Sequence, residues 1–139
     1  MLVAVDGQSQ TGNIVDRAIE LASALSAKIL LLYVIVEKEV PRGYEDIHGD
    51  SIPEHYYQEQ YHRATDEQAE KIRKAGIEFE GMCGTGDPKF AILSTSKSKE
   101  VSFVVLGVRS FRHQGRLRGE GNVAKEVMEG SAVPVIAIP

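Results

Sequence analysis

The sequence predicts an α/β fold, a doubly wound five-stranded parallel sheet in the order 3-2-1-4-5 with helices on both faces. Three observations carry this. Short apolar runs rich in β-branched residues alternate with helical patterns of about ten to twenty residues, the rhythm of right-handed βαβ units. The run Val101 to Leu106 is nearly unbroken in hydrophobicity, which suits a strand covered on both faces of a parallel sheet. The length of 139 residues fits one domain, residues 1–139, with a single substantial core.

Leu2 to Asp6 (LVAVD) reads as a buried strand cut off by Asp6-Gly7. Residues 11–26 then place Ile14, Val15, Ala18, Ile19, Ala22 and Leu25 on one helical stripe. Lys28 to Val36 (KILLLYVIV) is the longest apolar run, and its β-branched content and short length favour a central strand over a helix. A polar segment, Glu37 to Pro53, carries Pro41, Gly43, Gly49 and Pro53 and delays the next helix. From Glu54 to Ala75 the pattern is helical through Tyr57, Tyr61, Ala64, Gln68 and Ile72, and Gly76 supplies the stop.

A short strand is expected at Ile77 to Met82. Gly86-Asp87-Pro88 offers a turn, an N-cap and a proline at the first helical position, so Lys89 to Ser98 reads as a third helix with Phe90, Ile92 and Leu93 as its apolar residues. Val101 to Leu106 (VSFVVL) is the fourth strand, broken by Gly107. Asn122 is a good N-cap for a fourth helix from Val123 to Glu129, which Gly130 ends. Val133 to Ile138 (VPVIAI) is the last strand, and Pro134 argues for an edge position or a bulge.

Composition narrows the function. A formal charge of −4 and a pI near 5.6 argue against general affinity for nucleic acid. Cys83 is the only cysteine, which excludes an intramolecular disulfide and a Cys-based zinc site and suits a reducing setting. No apolar run approaches the roughly 20 residues that span a bilayer, and residues 1–6 lack signal-peptide character. The chain reads as soluble and cytoplasmic.

Against the acidic background, the segment from Gly107 to Ala124 (GVRSFRHQGRLRGEGNVA) is basic, with Arg109, Arg112, Arg116 and Arg118 interleaved with Gly115, Gly119 and Gly121. Glycines admit close backbone approach, a helix N-terminus offers unpaired donors, and guanidinium groups hold phosphate in a bidentate fork. The competing reading of the same composition is a solvated connection. Strand order supplies an independent argument. In the 3-2-1-4-5 order, strands one and four are neighbours where the winding reverses, and ligands sit beyond the carboxyl ends of strands at such a point. Asp6 and Gly107 stand at those two ends.

With these pieces in order, the chain resembles the universal stress protein family over essentially its full length. VAVDGQSQTGNIVDRAIELA is similar to the family's first strand and helix, LLYVIV to its second strand, and GTGDPKFAIL to the start of its third helix. VVLGVRSFRHQG with GNVAKEV, and SAVPVIAIP, match its glycine-rich segment and terminal strand. The resemblance implies an adenine nucleotide alpha hydrolase-like fold and a stress-response or signalling protein. It would bind ATP or another adenine nucleotide, with Mg²⁺, without strong catalytic activity, any hydrolysis being slow or partner-dependent. It also implies a homodimer pairing the terminal strands, residues 133–138.

Carried over residue by residue, the resemblance puts Asp6 near the adenosine, Val34 in the adenine slot, Gly107 against the ribose, and Gly121, Asn122 and Val123 around the phosphates. Ala4 falls where members have proline or alanine, and Leu106, Arg109 and Ser110 complete the implied site. ATP-binding members carry a glycine, two residues, a glycine, nine residues, then a glycine and a small hydroxyl residue. Here Ser110 takes the second glycine position, ten residues separate it from Gly121, and Asn122 replaces the hydroxyl residue. Some archaeal-looking members have a similarly Arg-rich loop. A side chain at Ser110 matters if the backbone there needs a positive φ. Asp6 has a second reading, as a turn residue capping the strand with Gly7.

Other signals have plainer explanations. His55 and His62 share a helical face but lack a third ligand at metal spacing. Tyr56, Tyr57 and Tyr61 could stack on an adenine, although tyrosines at helical spacing commonly pack on a sheet. Ser94, Thr95, Ser96 and Ser98 read as a helix end. There is no GxxxxGK followed by Ser or Thr, and Asp6, His113 and Ser110 make no convincing hydrolytic triad beside so many arginines. The alternative functions are an interaction protein of the same fold that does not bind nucleotide, and an enzyme such as a nucleotidyl transferase, for which no acid, base or nucleophile converges.

Overall fold

The computed structural model describes residues 1–8, 10–35, 54–112 and 122–139; the polar segment from Glu37 to Pro53 and the strand end expected at Val36 lie outside the described residues. The strands are β1 (Leu2–Val5), β2 (Ile29–Ile35), β3 (Phe79–Thr85), β4 (Val104–Gly107) and β5 (Val135–Ile138), all paired in parallel in the order β3-β2-β1-β4-β5. Among the described residues the helices are α1 (Thr11–Leu25), α2 (Glu54–Lys74), α3 (Pro88–Ser98) and α4 (Val123–Gly130).

The pleat divides each strand between two cores. Val3, Val5, Leu31, Tyr33, Ile35 and Val105 join Ile14, Val15, Ala18 and Ala22 of α1 and Ile72 of α2. Leu2, Ala4, Leu32, Val34 and Leu106 join Ala91 and Ile92 of α3 and Val123, Ala124 and Val127 of α4. All four residues of β1 are at 0% exposure, so the strand is buried on both sides. Full burial of a Val or Leu side chain contributes about 1.5–3 kcal/mol, which makes β1 a strongly held element and a rigid base for the turn at Asp6.

Boundaries differ from the sequence reading where a backbone group is used elsewhere. β3 runs over Phe79–Thr85, not from Ile77, because the Ile77 amide donates back to the Ile72 carbonyl (3.3 Å) and closes α2 around Gly76 at φ +73°. β4 begins at Val104, since the Val101 amide is bonded to Ser96 at the end of α3 (3.2 Å). Gly107 is the last paired residue of β4, opposite Ile138, and does not interrupt the strand. β5 starts after Pro134, which cannot donate but accepts from the Val104 amide (2.9 Å), and it lies at the sheet edge as its proline requires.

Two expected core residues face solvent: Leu25 is 57% and Phe90 72% exposed. Ile92 of α3 is buried as expected, together with Pro88, Ala91 and Ser96. Of the tyrosines on α2, Tyr56 is the buried one, at 6% exposure. The expected caps are in place, Asp87 accepting from the Phe90 amide (3.0 Å) and Asn122 from the Ala124 amide (2.9 Å).

Gly107 shows why its position excludes a side chain. A Cβ there would overlap the Ser110 hydroxyl and lie 2.7 Å from Ile14 Cδ1. Gly107→Ala is therefore expected to destabilise the domain by about 1–3 kcal/mol, read as a lowered midpoint in thermal or urea unfolding; an unchanged midpoint would contradict this packing.

Candidate functional site

The site is built on the carboxyl ends of β1 and β4, which are adjacent in the sheet. Asp6 follows β1 and is only 7% exposed. Its Oδ1 accepts from the Gln8 amide (3.0 Å) and, at 3.5 Å, from the Thr11 hydroxyl at the start of α1. Its Oδ2 accepts from the Phe111 amide at 2.7 Å, across 105 residues of sequence. Asp6 thus caps its own turn and also fastens the segment after β4 to the end of β1.

That segment is a tight turn. The Val108 amide donates to the Ile138 carbonyl (2.8 Å) and the Ser110 amide to Gly107 (3.2 Å). The positive φ that a glycine at position 110 would suggest falls one residue later, on Phe111 at φ +65°. A bulky side chain in the left-handed region costs about 1–2 kcal/mol. Two effects outweigh it: burial of the benzyl group, about 1.5–3 kcal/mol, and the hydrogen bond to a charged acceptor, about 1.5–3 kcal/mol. Phe111 is accordingly 1% exposed. Ser110 is 3% exposed, and its hydroxyl has no hydrogen-bond partner among the described residues.

The residues implied for nucleotide binding separate into two groups. Ala4, Val34, Leu106 and Val123 meet in one apolar cluster, at 0%, 1%, 0% and 2% exposure, and Phe111 belongs to the same cluster. Asp6, Gly107 and Ser110 are gathered beside it, and Asn122 caps α4. Arg109 and Arg112 stay on the surface. Gly121, together with His113, Gly115, Arg116, Arg118 and Gly119, lies outside the described residues.

A cavity of about 260 Å³ opens beside Asp6 on the α2 side of the sheet, with Tyr33, Tyr56, Gln60 and Arg63 among its walls. Sequence reasoning named Tyr56 as a stacking candidate and missed the others. The signal was the spacing 56, 60, 63, which puts three polar-tipped side chains on one face of α2. Tyr33 was hidden inside an apolar strand.

Outside this region the chemistry is quiet. Among the described residues no three His, Cys, Asp or Glu side chains are placed to hold a metal ion, and His62 Nδ1 lies 3.0 Å from Asp66. The hydroxyls of Ser94 and Ser98 donate to the carbonyls of Ala91 and Thr95 within the helix. No described helix is long and apolar enough to cross a membrane.

These contacts lead to two expectations. Asp6→Ala leaves the buried Phe111 amide without its acceptor and should cost about 1–3 kcal/mol, with Asp6→Asn losing less; equal stability of all three proteins by urea unfolding would contradict the role of Asp6. Burial, and secondarily the Glu54 carboxylate, push the Cys83 thiol above its ordinary pKa. Less thiolate is then present near neutral pH. Iodoacetamide should modify Cys83 more slowly than free cysteine, the rate rising only above the usual thiol range, and Glu54→Gln should quicken it. A rate equal to that of free cysteine across the range would refute the shift.

Known proteins agree with this architecture. The profile of the universal stress protein family matches residues 1–139. The universal stress protein YxiE of Bacillus subtilis (strain 168) is 29% identical over 146 residues, spanning 99% of this chain and 97% of that protein. The structure is similar to that of the Archaeoglobus fulgidus universal stress protein in complex with dAMP (TM-score 0.68, 20% identity, 99% of this chain and 95% of that one). It is also similar to an Arabidopsis thaliana universal stress protein family protein with AMP bound (TM-score 0.66, 21% identity, 99% and 88%). With its whole length matched by the family profile and its sheet order shared with solved members, the chain belongs to the universal stress protein family.

Proposed function

We propose that this chain is a cytoplasmic stress-response or signalling protein that binds an adenine nucleotide, ATP or AMP, at the carboxyl ends of β1 and β4. The observation that carries the reading is the buried Asp6 carboxylate at the switch point, with a cavity on one side and the capped N-terminus of α4 nearby. The dAMP and AMP complexes of the similar proteins support it. The apolar slot of Ala4, Val34 and Leu106 would take the base and Asp6 offers a ribose acceptor, with the cavity walled by Tyr33 and Tyr56 opening beside that carboxylate. Asn122, Val123 and the exposed Arg109 would take the phosphates, with Mg²⁺ balancing the charge of ATP.

One observation favours a second reading. Phe111 fills the apolar side of the site, as it would in a protein of this fold that acts only through protein partners. Titration calorimetry with AMP, ATP and ATP with Mg²⁺ separates the two, and no heat at high micromolar protein would sink the first. If nucleotide binds, Arg109→Ala should weaken AMP by about two- to fivefold and leave adenosine unchanged. An equal effect on both ligands would remove Arg109 from the phosphate subsite.

The same reading makes the protein a homodimer through β5. This strand carries apolar residues of intermediate exposure, Val135 to Ile138, on an edge with no further strand among the described residues, the kind of edge that a second copy covers. Sedimentation velocity should show a dimer at micromolar concentration, and a monomer would refute the pairing.

A further inference from the structure

Resting on the nucleotide-binding reading above, we propose that Phe111 is the affinity-setting residue of the site, a latch whose ring occupies the apolar slot and whose amide occupies Asp6, so that nucleotide enters only as both are released. The argument begins with the sealed surface. Ala4, Val34, Leu106 and Val123 are at most 2% exposed and share their cluster with the Phe111 ring. A ligand that reaches these side chains must replace something, and Phe111 is the large side chain contributed there by a turn and not by a strand or helix.

The turn also carries two unsatisfied features of the closed arrangement. Phe111 has a left-handed backbone at φ +65°, and the neighbouring Ser110 hydroxyl is buried without a partner among the described residues. Both penalties are relieved when the turn opens: the backbone leaves the left-handed region, and the hydroxyl gains water or a ligand oxygen. Two contacts hold the turn shut, the ring in the cluster and the amide on Asp6 Oδ2 at 2.7 Å. A ribose hydroxyl donating to Asp6 competes for that carboxylate, and a base entering the slot competes for the space of the ring. The ligand therefore displaces two parts of one residue, and its apparent affinity is reduced by the closed fraction of the protein.

This explains how Ser110 and Phe111 work together. Ser110 places its hydroxyl in the space where a side chain on Gly107 would stand, and the next residue, Phe111, takes the left-handed backbone and joins the apolar cluster. The two residues fill the site from neighbouring positions of one turn.

Two measurements test the proposal. In Phe111→Gly the ring is gone and the left-handed backbone is unstrained, so AMP measured by calorimetry should bind at least about tenfold more tightly than to the unaltered chain. In the unaltered chain, hydrogen exchange at the Phe111 amide, protected by Asp6, should accelerate at saturating AMP, whereas a residue with a merely structural role would keep or increase its protection. Exchange at Phe111 that stays protected under saturating AMP overturns the latch whatever the variant does, and leaves nucleotide binding intact. Equal or weaker AMP binding by a folded Phe111→Gly overturns it likewise. If neither chain binds AMP, both the latch and the nucleotide reading fall. Should the variant not fold, the exchange measurement on the unaltered chain decides.

Discussion

The hydrogen bond from the Phe111 amide to the Asp6 carboxylate is the contact on which the geometry of the functional end depends. A parallel sheet fixes β1 and β4 side by side through their backbones, but it does not dictate where the chain goes after either strand. Here a buried negative charge does so. Desolvating a carboxylate is costly unless donors surround it, and Asp6 collects them from its own turn, from α1 and from the segment after β4. The need to satisfy that one charge draws three separate pieces of chain to a point, and the pocket and the apolar cluster lie on either side of it.

The fold was legible because its determinants are local and repeated. Four of the strands could be recognised from apolar runs, the third, with its polar and glycine residues, only from its place between helices, and the sheet order followed from the alternation of strands with helices. Caps such as Asp87-Pro88 and Asn122 were readable for the same reason, since a cap is a short-range bond between neighbours. Strand ends were less readable where an amide is taken by a helix terminus, as at Ile77 and Val101, because the competition between two partners for one donor is settled in three dimensions. Leu25 and Phe90 fit the helical stripes yet face solvent, because periodicity marks a face without saying how much of it is covered.

The site was legible in position and illegible in state. Asp6 and Gly107 follow from topology, and the polar line of Tyr56, Gln60 and Arg63 was present in the spacing of α2. The sequence could not show that the left-handed backbone falls on Phe111 and that its aromatic ring joins the core. In a glycine-rich, arginine-rich segment, no pattern singles out Phe111. Its inward orientation is a property of one dihedral angle together with a charge 105 residues away.

The tie between Val108 and Ile138 has a mechanical consequence for this end of the molecule. Because the Val108 amide is bonded to the last residue of the sheet's edge strand, Val108 is held to β5, and the turn after it is held by the Ser110-to-Gly107 and Phe111-to-Asp6 bonds. Release of those two bonds in the proposed latch would leave Val108 as the fixed point. The exposed Arg109 and Arg112 flank Phe111 in the sequence, so a movement of the ring would carry positive charge with it.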